Sequence, residues 1–118
     1  MSSPHRRRWR DYRTPSGRRP VVEFIRALPD PDAAAVIAAM KEVAVEGLAV
    51  ARHVRGAIYE VRADGDRVTY RVLFATEGKR AQVLLALEAF SKKGRKTPPA
   101  TIALAERRLR DWRGRGGR

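Results

Sequence analysis

Residues 57–90 read AIYEVRADGDRVTYRVLFATEGKRAQVLLALEAF, and the period of this stretch decides the fold. Three segments, AIYEVRA, RVTYRVLFA and AQVLLALEAF, carry the period of two and the β-branched and aromatic content of strands. Between the first two lies ADGD, a tight-turn sequence. Between the last two lies TEGKR, where Gly78 can take a positive φ. Links this short cannot hold a crossover, so the three strands form an antiparallel meander.

Upstream, RRWRDYR from Arg7 alternates basic and aromatic residues and reads as a first strand, which TPSGRRP breaks. Pro20 then suits the first turn of a helix carrying Val21, Val22, Phe24, Ile25 and Leu28, which Pro29 and Pro31 end. Asp30 or Asp32 can cap a second helix, DAAAVIAAMKEVAVEG. Its Val36, Ile37, Met40, Val43 and Ala44 recur at helical spacing, and Gly47 stops it. Arg52–Gly56 reads as a loop. Downstream, TPPATIALAERRLRDW opens with Thr97 as a cap and two prolines, and sets Ile102, Ala105, Leu109 and Trp112 on one helical face. The predicted order is β-α-α-β-β-β-α: an α+β chain, one domain over 1–118, with an antiparallel sheet and its helices packed on one face.

Composition narrows the function. At 43% apolar residues the chain can bury a core. No apolar run approaches the roughly 18 residues of a membrane helix, and no signal-peptide apolar region is visible. Without cysteine, disulfides and thiolate metal sites are excluded, and a cytoplasmic setting is the expectation. Two histidines and scattered acids offer no metal-ligand set, so neither metal nor other cofactor is expected. The net charge is +13, and its distribution matters more than its size. Residues 20–90 are near neutral, while the excess of Arg and Lys sits in 1–19 and 91–118. Basic ends of this kind favour a polyanionic partner, most often nucleic acid. The extreme ends, about 1–6 and 114–118, read as mobile.

If the apolar faces of the strands meet the helices, Glu60, Arg62 and Arg71 emerge on an open face. The cations of SKKGRK (Lys92, Lys93, Arg95 and Lys96) follow where the last strand leaves the sheet. An Arg inside YRVLF stands where a buried strand would carry Val or Ile. A carboxylate and several cations converging on one face suit cleavage of a phosphodiester. Cations stabilise charge on the phosphorane, and a carboxylate or an unprotonated Lys can accept a proton.

These residues resemble the RelE/HigB toxins of type II toxin–antitoxin systems, and most of all the phage-derived Gp49-like branch. The resemblance rests on YEVR at Tyr59–Arg62, YRVLF at Tyr70–Phe74, FSKKGRKTP at Phe90–Pro98 and the helix containing AERRL, in that order and spacing. It extends more weakly to GRRPVVEFIRALPD. What it implies is a RelE-like fold and metal-independent cleavage of messenger RNA in the ribosomal A site, the ribose 2′-hydroxyl attacking the adjacent phosphate. Arg71 would stabilise the transition state. Arg62, Lys92 and Lys93 would orient or neutralise the phosphate, and Glu60 would be either the general base or an orienter of Arg62. Arg95, Lys96, Arg107 and Arg108 would hold ribosomal or messenger backbone. The implied partners are the ribosome, mRNA and a cognate antitoxin of the helix-turn-helix type, with no membrane involved. The chain departs from the pattern at Glu88-Ala89, where the family often has His-Gly. His53, in the loop before the second strand, could supply a substitute imidazole.

Two other readings stay open at this point. One is a nucleic-acid-binding module without catalysis, which the missing histidine favours. The other is a ParE-like action on a topoisomerase, since that branch shares the fold. Arg71 together with Lys92 and Lys93 favours RNA cleavage over the topoisomerase reading.

Overall fold

The computed structural model describes residues 6–92, 94 and 96–118. The elements are β1 (Arg8–Asp11), α1 (Pro20–Arg26), α2 (Asp30–Glu46), β2 (Arg52–Arg55), β3 (Ile58–Asp64), β4 (Thr69–Glu77), β5 (Val83–Lys92) and α3 (Pro99–Gly114). They build an α+β fold around one five-stranded sheet of order β1-β5-β4-β3-β2. The meander is present as its turns require: β3 pairs antiparallel with β4, and β4 with β5.

Two features of the sheet differ from the sequence pattern. The expected loop over Arg52–Gly56 is largely a strand, β2, with Arg52 opposite Glu60 and His53 opposite Tyr59. Its sequence, RHVR, has no apolar alternation because it is an edge strand held by its ladder and by ion pairs. The sheet is also mixed, since β1 runs parallel to β5. These two strands lie far apart in the chain, and no tight turn dictates their relative direction.

The helices occupy both faces, not one. Against α1 and α2 pack Val61, Ala63, Tyr70, Val72, Phe74, Leu84 and Ala86, meeting Val21, Val36, Met40 and Val43. On the opposite face Ile58, Leu73, Ala75, Leu85 and Leu87 meet Ala105, Leu109 and Trp112 of α3. This explains the unbroken run VLLAL in β5, since a strand covered on both sides has no polar face. α3 therefore covers part of the face carrying Glu60 and Arg71 and leaves the end at Arg62 and Lys92 open.

That end is shaped by a β-bulge. Leu73 pairs with Glu88, but Phe74 pairs with Ala86, leaving Leu87 as an extra residue. Strict alternation would place Glu88, Phe90 and Lys92 with Leu84 and Ala86 under α2. The bulge reverses them: Glu88 reaches Arg108 of α3, Phe90 packs against the α3 cluster, and Ala89 turns to the α2 side. Lys92 thus arrives on the same face as Arg71.

Polar anchors hold the layers in place. Trp9 donates from Nε1 to the Met40 carbonyl at 2.6 Å, and the Tyr12 hydroxyl donates to Asp111 at 2.6 Å. Asp32 does not cap α2, whose N-cap is Pro29. Its carboxylate accepts from the Tyr70 hydroxyl and from the Asp66 amide, tying α2 to β4 and to the β3–β4 turn. Gly65 is required there by close approach, since a Cβ would come within 2.8 Å of the Asp32 carboxylate and 2.7 Å of the Tyr70 ring. Near the C-terminus Arg115 folds back, donating to the Arg13 carbonyl at 2.5 Å and lying 5.5 Å from the Tyr12 ring centroid. That arginine is part of the body of the fold and not of a loose tail.

Candidate active site

β3 carries Glu60 inward, toward α3, where only 1% of it is exposed. A buried carboxylate must be paired, and every side of this one is taken. Arg52 donates to Oε2 from Nε at 2.8 Å and from Nη2 at 2.5 Å, and Arg71 donates to the same oxygen from Nη1 at 3.0 Å. The Thr97 hydroxyl donates to Oε1 at 2.7 Å. Burial alone would push the Glu60 carboxyl up. The Thr97 and Arg52 hydrogen bonds and the charges of Arg71 and Arg52 outweigh it and hold the group below the usual carboxylate range. A carboxylate this well satisfied is a poor base and a good anchor. It orients Arg71 and Arg52. It does not orient Arg62, whose Nε donates to Asp64 at 3.0 Å.

Arg62 and Arg71 stand directly opposite each other on β3 and β4. With Thr69, Lys92 and Gly94 they line an open cleft of about 330 Å³. Two like charges side by side repel, and an anion between them relieves that repulsion. Arg71 is only 14% exposed on its side chain, and its Nε is buried with no hydrogen-bond partner among the described residues. Lys92 is 8% exposed. Burial first, and then the positive charge of Arg71, push its ammonium below the ordinary lysine value, although Glu60 pulls the other way. The cleft therefore offers fixed guanidinium groups beside an amine that gives up its proton more readily than a surface lysine.

The other sequence-predicted residues divide. Lys93 and Arg95 lie outside the described residues. Lys96 is exposed and borders a second cleft beside Arg52. Arg107 is exposed on α3, but Arg108 is not available to a polyanion. It donates to the Leu87 carbonyl at 2.7 Å, pairs with Glu88 at 3.3 Å and lies 5.6 Å from the Tyr12 ring centroid. Glu88 is thus the partner of Arg108, at the position where the chain departs from the His-Gly pattern. His53 offers no substitute. It stands opposite Tyr59, on the face away from Glu60, and its Nε2 lies 2.7 Å from the Gly56 carbonyl. Among the described residues no group of three or more His, Asp or Glu side chains could hold a metal ion.

Two residues escaped the sequence pattern. Thr97 is spent on Glu60 instead of capping α3, whose N-cap is Pro98. Arg52 is hidden because β2 lacks alternation. A signal for it exists in RHVRGAIYEV, where Gly56 takes φ +54° in the tight turn of a hairpin.

Residues 23–110 match the family described as Phage derived protein Gp49-like (DUF891). No curated protein matches the chain. The matched segment runs from α1 to α3 and contains Arg52, Glu60, Arg62, Arg71, Lys92 and Thr97, so the cleft and its anchor lie inside it: the chain belongs to the phage-derived Gp49-like family.

Proposed function

We propose that the protein is the toxin of a type II toxin–antitoxin system, a RelE/HigB-like endoribonuclease that cleaves mRNA on the ribosome and stops translation. The observation that carries this reading is the cleft in which Glu60 fixes Arg71 beside Arg62 and the buried Lys92, whose ammonium burial and Arg71 hold below the ordinary lysine value. Neutral Lys92 accepts the proton of the ribose 2′-hydroxyl. The 2′-oxygen bonds to phosphorus, the phosphorus–5′-oxygen bond breaks, and the departing 5′-oxygen takes a proton from water. The products are a 2′,3′-cyclic phosphate and a 5′-hydroxyl end. Arg71 and Arg62 bind the phosphoryl oxygens as charge builds on them. Glu60 acts through Arg71 and is a positioning residue. The basic termini and the exposed Lys96 and Arg107 supply salt-sensitive affinity for ribosomal RNA. The ribosome aligns the substrate, which lets a small open cleft suffice. The toxin works in the cytoplasm, and a helix-turn-helix antitoxin neutralises it.

Charge stabilisation in this scheme comes from arginine and lysine. Protein stripped with EDTA and assayed on ribosomes in ordinary Mg²⁺ should therefore cut mRNA at the untreated rate. Loss of cutting that only Zn²⁺ or Mn²⁺ restores would contradict the scheme.

A further inference from the structure

Glu60 has two sides, and the proposed chemistry uses one of them. On the other side Arg52, Val54, Lys96, Thr97 and Ile102 line a second cleft of about 250 Å³. We propose that this cleft is a nucleotide subsite. It would seat the nucleotide adjoining the scissile phosphate, with a phosphate on Arg52 and Lys96 and a sugar or base against Val54 and Ile102. The inference rests on the endoribonuclease reading above and adds a place for the substrate chain.

Four observations carry it. Arg52 is fixed on its inner edge by Glu60 but is 56% exposed, so the outer part of its guanidinium faces solvent. Of the five N–H donors of an arginine, Glu60 takes two. The floor is apolar, with Val54 packed against the α3 cluster and Ile102 buried. An apolar floor under a cationic rim suits a nucleotide, which has a flat, weakly polar base and a charged phosphate. Two acids stand near the cleft, and both are paired: Glu60 with Arg52 and Arg71, and Glu106 with Arg55 at 2.5 Å. Finally, Glu60 binds Arg52 and Arg71 through the same oxygen. The two guanidinium groups are thereby held side by side around one carboxylate oxygen, between the two clefts. The small volume limits the occupant to part of one nucleotide.

The test is a map of cut positions on ribosomes programmed with mRNA randomised around the A-site codon. The variants are Lys96→Ala, Val54→Phe and, as a charge-matched comparison, Arg110→Ala on the exposed face of α3. Val54→Phe fills the cleft and should change which nucleotide beside the cut is preferred, and Lys96→Ala should change it in milder form. Lys96→Ala should also raise the half-saturating protein concentration, by roughly 3–10-fold for one lost phosphate contact. Arg110→Ala should leave the nucleotide preference as it is. If Val54→Phe fails to fold, Lys96→Ala alone decides. A parent that cuts, with unchanged preference in the folded variants, overturns the subsite and leaves the nuclease reading standing. A parent that cuts nothing overturns both.

Discussion

Arg71→Ala should leave the protein folded and slow single-turnover cleavage of ribosome-bound mRNA by about 10²–10³-fold, the usual cost of removing one fixed donor from a developing oxyanion. Folding survives because Glu60 keeps Arg52 and Thr97 as partners. The rate falls because no other described side chain takes the place of Arg71 between Glu60 and the cleft. Arg71→Lys should recover only part of the loss, since an ammonium brings the charge without the planar fork. The assay is cleavage at saturating protein, with circular dichroism to confirm the fold. A well-folded Arg71→Ala protein that cuts at the parental rate would remove Arg71 from the chemistry.

Glu60→Gln should do a different kind of damage. It keeps the shape of the side chain but removes the charge that two guanidinium groups face. Breaking a buried pair by removing one partner costs about 3–5 kcal/mol. Arg52 is half in solvent, which places this case near the low end, about 3 kcal/mol. The midpoint of thermal unfolding should fall by roughly 10 °C. The loss depends on pH in a defined direction. In the folded protein Glu60 titrates below its ordinary value of 4.5, so its contribution is complete above that value. It disappears as pH falls through the lowered one. The stability gap between parent and Glu60→Gln is therefore widest at neutral pH and closes in acid. Denaturant titrations at the two extremes measure it, and a gap that stays constant would show that Glu60 is not held as a carboxylate. Cleavage should drop as well, because Arg71 loses its anchor.

Much of this site was legible in the sequence, and the unread parts share a cause. The meander followed from alternation and turn chemistry in residues 57–90, and it correctly brought Glu60, Arg62 and Arg71 onto one face. The second core was foreshadowed by VLLAL, which leaves no polar face, and by the apolar stripe of α3, which needed a surface of its own. The bulge at Leu87 was not legible, because it reverses the alternation in a strand whose residues are apolar on both faces. Strict alternation alone would put Glu88 and Lys92 on the opposite side. Arg52, Thr97 and Arg108 were misread for one reason: each is defined by a partner distant in space, namely Glu60 for the first two and Glu88 with Leu87 for the third. Local patterns carry periodicity and turns but not such pairings.

In the proposed reaction the Arg71–Lys92 cleft cuts RNA on the ribosome by attack of a 2′-hydroxyl. The most direct test is to incubate the protein with ribosomes carrying an end-labelled mRNA and to identify both the cut and its chemical ends. The predicted result is cleavage in the A-site codon leaving a 2′,3′-cyclic phosphate. The rate should rise with pH as Lys92 loses its proton, and cleavage should vanish in Lys92→Met. Intact mRNA on those ribosomes, or cleavage that Lys92→Met leaves at the parental rate, would contradict it.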